Sequence, residues 1–143
     1  MDTITRKEFL SLLGTGATAF AGMVCLGGCS GEDSPTGPGG PTNVDFTIDI
    51  TNPGYAALQS AGGYVYVNSI VVARAADGSY IAVAQSCTHE GTSVVYEPSN
   101  NRFHCPNHGS NFTTDGAVIN GPASRPIRRY NTTLTGNSLR VFS

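Results

Sequence analysis

Two short Cys/His pairs constrain this chain more than any other feature. Cys87-Thr88-His89 and Cys105-Pro106-Asn107-His108 are separated by fifteen residues, in a chain with only three histidines. A glycine follows each pair, Gly91 and Gly109, and glycine adopts positive φ at no steric cost, so both loops can turn tightly around their own side chains. Two thiols and two imidazoles then come within reach of one centre. That donor set suits tetrahedral zinc or a [2Fe–2S] cluster. A Cys87–Cys105 disulfide is the plain alternative in an oxidising compartment. Zinc sites built from short pairs more often use Cys-x2-Cys knuckles.

The sequence around these loops reads as strands. Residues 44–50 alternate with period 2, placing Phe46, Ile48 and Ile50 on one face. Short β-branched or aromatic runs follow at 64–67, 70–74, 80–84, 93–96, 102–104, 118–119, 127–133 and 138–142. Asp77-Gly78 makes a turn into the run at 80–84, and Gly136-Asn137 is a hairpin turn linking the last pair. Helical periodicity is weak and confined to residues 55–58. The fold class expected is all-β, an antiparallel sandwich or small barrel. On a strand over 102–104, His104 and Cys105 point to opposite sides, so His104 is read as a surface residue.

At these residues the chain resembles a known family. Cys87-Thr88-His89 with Cys105-Pro106-Asn107-His108-Gly109-Ser110 looks like the two cluster-binding loops of the Rieske iron–sulfur proteins. The likeness continues in residues 116–123, Pro126-Ile127 and Tyr130, and spans about residues 64–142. It implies a Rieske-type β-sandwich carrying one [2Fe–2S] cluster per subunit, one iron held by Cys87 and Cys105 and the other by His89 and His108. It also implies that Gly121-Pro122 covers the cluster and that the Ser110 hydroxyl donates to a bridging sulfide. Three departures from the cytochrome bc branch stand out. The extra cysteines that form its loop–loop disulfide are replaced by Thr92 and Asn107. Phe112 stands where a tyrosine hydroxyl would donate to a cysteine sulfur. Glu90 occupies an exposed tip that is usually apolar, and a carboxylate is costly to desolvate in a quinol pocket. One sulfur-directed donor of two implies an intermediate potential within the about −150 to +300 mV span of such centres.

The N-terminal third has another character. Residues 9–28 carry no charge, follow Arg6 and Lys7, and are diluted by five glycines, which reads as an export signal over residues 1–28. Leu26-Gly27-Gly28-Cys29 resembles a bacterial lipobox, with Cys29 acylated. Thr5-Arg6-Lys7-Glu8-Phe9-Leu10 resembles a twin-arginine motif in which Lys7 replaces the second Arg. Residues 29–43, rich in Gly and Pro, are expected to be a solvated, lipid-anchored tether. Residues 44–143 form the folded domain, with the cell envelope, facing periplasm or exterior, as its expected location.

Composition closes off other functions. Net charge is -2 and Lys7 is the sole lysine, so no basic surface for nucleic acid exists. A Rieske oxygenase needs a further iron held by two His and a carboxylate, and only His104 is left over. The expected function is one-electron transfer by an envelope-tethered carrier, or by the small electron-transfer subunit of an oxidoreductase, with no independent catalytic site. Its partner would be a redox protein, such as a larger catalytic subunit. A subunit of a quinol–cytochrome c reductase and a zinc-stapled binding module are the alternatives.

Overall fold

Alternating apolar residues and tight turns fix the elements, and the computed structural model describes them over residues 39–143. Ten strands run in chain order: β1 Asp45–Asp49, β2 Tyr64–Val67, β3 Ile70–Arg74, β4 Tyr80–Ala84, β5 Val95–Glu97, β6 Arg102–His104, β7 Asn111–Thr113, β8 Val118–Asn120, β9 Arg129–Thr135 and β10 Ser138–Phe142. The expected all-β class is what forms. The weak helical signal at 55–58 is a 3-10 segment, Pro53–Gln59, capped by Asn52 Oδ1, which accepts from Gly54 N at 2.9 Å. It buries Leu58 completely.

Two antiparallel sheets result. The larger has the order β1-β10-β9-β4-β3-β2, and the smaller the order β5-β6-β7-β8. Residues 70–73 of β3 and 82–84 of β4 are fully buried, as expected of central strands covered on both faces. Tyr96, Phe103 and Phe112 line the inner face of the small sheet, and the Tyr96 and Phe103 ring centroids lie 5.4 Å apart. Truncating a fully buried ring such as Phe103 to Ala typically costs about 3–5 kcal/mol. Both Cys/His loops start from these sheets. The first links β4 to β5, and the second links β6 to β7.

Three details differ from the sequence reading. Strand β7 was not expected, because Asn111-Phe112-Thr113 is too short to show a period. The expected strand over 127–133 begins at Arg129, since Ile127 pairs elsewhere. The third concerns the tether boundary at residue 43: Gly39 forms a parallel bridge with Ile127, Gly39 N donates to the Pro126 carbonyl (3.0 Å), and Arg128 N donates to the Gly39 carbonyl (2.8 Å). The Tyr130 hydroxyl donates to the Pro41 carbonyl at 2.8 Å. Residues 39–43 are therefore part of the packed unit, because free backbone groups there find partners beside β9. Cys29 and the export signal lie outside the described residues. Among the described residues, no helix is long and apolar enough to cross a membrane.

Candidate metal centre

The two loops are built alike. In the first, Cys87 N donates to the Thr92 carbonyl and Gly91 N to the Cys87 carbonyl, both at 2.8 Å. In the second, Cys105 N donates to the Ser110 carbonyl at 2.8 Å and Gly109 N to the Cys105 carbonyl at 3.0 Å. Each turn closes through a glycine of positive φ, 77° at Gly91 and 81° at Gly109. A Cβ there would strain the turn, which is why the same residue recurs four positions after each cysteine.

The loops meet through like pairs. Cys87 and Cys105 are both free thiols, 2% and 1% exposed, and are neighbours in the interior. Burial pushes the Cys87 thiol above its ordinary range, as does the neighbouring Cys105, against the pull of the His89 and Glu90 backbone N–H groups. His89 and His108 are exposed and face each other at 3.1 Å between Nδ1 atoms, with ring centroids 4.8 Å apart. Sulfur meets sulfur in the interior, and nitrogen meets nitrogen at the surface. These four donors fit a two-iron cluster with a different ligand pair on each iron. Glu90 joins the outer pair, its Oε2 3.6 Å from His108 Nδ1. His89, Glu90 and His108 also have the composition of a mononuclear iron site, but each imidazole can serve one centre only.

The other singled-out residues fall around this core. Ser110 is fully buried, and its Oγ accepts from Ala123 N at 2.9 Å, leaving its own proton free to donate elsewhere. That bond ties the second loop to the segment holding Gly121 and Pro122, both exposed. Phe112 is fully buried and offers no hydroxyl. Thr92 and Asn107 carry no sulfur, so no disulfide joins the loops. His104 is half-buried on β6, Nδ1 bonded to Asn111 Oδ1 at 2.8 Å, away from the paired imidazoles. Sequence reasoning missed Thr88, whose hydroxyl donates to the Arg125 carbonyl at 2.5 Å and anchors the first loop from behind. It also missed Asn111 and Asn120.

Comparison with known proteins identifies the family. Residues 54–131 match the Rieske [2Fe-2S] domain family, and the chain belongs to it. The iron-sulfur subunit of the cytochrome b6-f complex of Prochlorococcus marinus is 30% identical, covering 86% of this chain and 76% of that protein. Iron-sulfur subunit 3 of the cytochrome b6-f complex of Nostoc sp. is 25% identical over 97% of this chain and 85% of its own length. In fold, the chain is similar to the ferredoxin of carbazole 1,9a-dioxygenase from Nocardioides aromaticivorans, with a TM-score of 0.54, covering 71% of this chain and 98% of the ferredoxin at 22% identity. The protein is an electron carrier with a [2Fe–2S] cluster as its cofactor, in a family whose members work with redox partners.

Proposed function

We propose that this chain is a lipid-tethered one-electron relay of the bacterial envelope, in which Cys87 and Cys105 hold the inner iron and His89 and His108 the outer. The observation that carries this reading is the pairing of two buried thiols with two exposed imidazoles whose Nδ1 atoms are 3.1 Å apart. When bound, the cluster supplies a reversible one-electron couple, made easier to reduce by neutral imidazoles in place of two thiolates. The chain's own residues do the remainder. The paired loops exclude water from the sulfurs, and the exposed rings of His89 and His108 form the contact edge for a partner. Ser110 keeps a hydroxyl proton available inside the second loop. The partner is a redox protein, either soluble or a larger subunit, that meets this polar edge beside Glu90.

The lipobox-like segment ending at Cys29 supports the tether, and the neutral charge of residues 44–143 suits a carrier that docks transiently. The relatives named as cytochrome b6-f subunits favour a second reading, a subunit of a membrane quinol-oxidising complex. Glu90, Phe112 and the missing loop disulfide weigh against it.

One preparation tests the reading. The full chain, extracted from membranes with detergent, is expected to carry iron and acid-labile sulfide in equal amounts, an acylated Cys29, and a Rieske-type EPR signal on reduction. His108→Ala is expected to abolish that signal while His104→Ala leaves it nearly intact. Equal loss in both variants refutes the ligand assignment. A midpoint near +300 mV, the upper end of the span, would instead favour the quinol-oxidising subunit.

A further inference from the structure

The second loop lacks a disulfide to fix it, yet a row of side chains behind it does so. His104, Asn111 and Asn120 are cross-strand neighbours on β6, β7 and β8. Between β7 and β8 the register slips, Asn111 opposing Asn120 while Phe112 opposes Val118. The slip leaves Ile119 as the extra residue of a bulge, turned outward at 51% exposure. A bulge re-aims its neighbours, and here it returns Asn120 to the row that holds Asn111. Asn111 is one of two buried polar residues in the described part of the chain, the other being Ser110.

The hydrogen bonds of this row are mutually consistent. Asn111 Oδ1 is bonded to His104 Nδ1 at 2.8 Å, so the Asn111 amide nitrogen points the other way. Its Nδ2 donates to the Gly109 carbonyl (3.2 Å) and to Asn120 Oδ1 (2.6 Å). Asn120 Nδ2 in turn donates to the carbonyls of Gly109 (2.9 Å) and Gly121 (3.0 Å). The Gly109 carbonyl thus accepts two amides, next to His108 and four residues after Cys105. A trans peptide directs its N–H opposite to its C=O. Holding the Gly109 oxygen against the asparagines therefore turns the Ser110 N–H to the other side, where it makes no hydrogen bond among the described residues.

The geometry points to Asn111 and Asn120 as positioning residues that clamp the Gly109 carbonyl and so set the orientation of His108, and of the Ser110 N–H, toward the cluster. The inference rests on the reading of Cys105 and His108 as ligands. Neither asparagine touches the cluster; both act through the backbone of the loop.

The test uses the full chain loaded with its cluster, and compares Asn120→Ala, Asn120→Asp, Asn120→Gln and Ile119→Ala. Asn120 is exposed, so its replacement leaves the core intact. Asn120→Ala removes two bonds to backbone carbonyls, and loss of iron to an excess of chelator is expected to be about tenfold faster. Its midpoint potential and the g values of its EPR signal are expected to shift as well. Asn120→Asp keeps the acceptor and loses the donors, and is expected to lose iron as fast as Asn120→Ala. Asn120→Gln restores an amide and recovers part of the retention, while Ile119→Ala matches the wild type. The clamp is overturned if Asn120→Ala retains iron within about twofold of the wild type with an unchanged potential and spectrum, or if Ile119→Ala does the same damage. A wild-type protein without iron or sulfide would instead sink the ligand reading.

Discussion

Glu90 holds a carboxylate oxygen 3.6 Å from His108 Nδ1, and both side chains are open to water. A negative charge beside the outer ligand pair opposes the arrival of an electron. Glu90→Gln is therefore expected to raise the midpoint potential by roughly 20–40 mV at low ionic strength, with the effect shrinking toward 1 M salt as screening shortens to a few Å. Potentiometric titration at two salt concentrations checks this, and an unchanged or lowered potential would mean that Glu90 does not sense the cluster. At this scale the sequence was most legible where chemistry is rare. Four residues, Cys87, His89, Cys105 and His108, stood out by type and spacing alone. Asn111 and Asn120 did not, because an isolated asparagine is common in turns and signals no partner. Their role depends on strand register and on a bulge that no local pattern announces.

Elements were legible where a run was long enough to show a period. The hairpins β3–β4 and β9–β10 follow directly from short β-branched or aromatic runs and turn residues, whereas the three-residue β7 carries too little pattern to separate from a loop. Residues 39–43 show the same limit from the other side. Their Gly/Pro composition signals a chain unable to bury side chains, but says nothing of backbone groups that find partners beside β9. Tyr130 on β9 fixes this segment through its bond to the Pro41 carbonyl, and burial pushes its phenol up to about 12 from an ordinary value of 10.0. The sign follows from the raised folded value. Below pH 10 both states hold the proton; between about pH 10 and 12 the unfolded chain releases it and the folded one does not, so stability falls as pH rises. Tyr130→Phe is expected to cost about 1 kcal/mol at neutral pH from the lost hydrogen bond. It should also remove an alkaline loss of up to about 2.7 kcal/mol. Urea midpoints at pH 8 and pH 11.5 check both halves: the gap between variant and parent must narrow or invert at the higher pH. A constant gap would show that Tyr130 does not titrate with unfolding.

For the molecule as a whole, the same contact that suits Cys87 and Cys105 to hold one iron also makes them a hazard in the proposed oxidising compartment. The buried, free thiols are neighbours when the loops are folded. Should the chain fold before its cluster arrives, a thiol oxidant can join the two sulfurs, releasing two protons and two electrons to the oxidant and removing both inner ligands together. A loaded cluster occupies those sulfurs and blocks the reaction. With the proposed envelope location, cluster insertion would have to come before exposure to that compartment, which would fit export of an already folded protein better than threading of an unfolded one. The expected result is specific. Cluster-free full chain treated with diamide should form an intramolecular Cys87–Cys105 disulfide, detected by peptide mass under non-reducing conditions. It should fail to take up iron and sulfide until a reductant is added. Loaded protein under the same treatment should keep its EPR signal and yield no such peptide. If the cluster-free chain keeps both thiols after diamide, the sulfurs are not held in contact, and the order of loading and export is free.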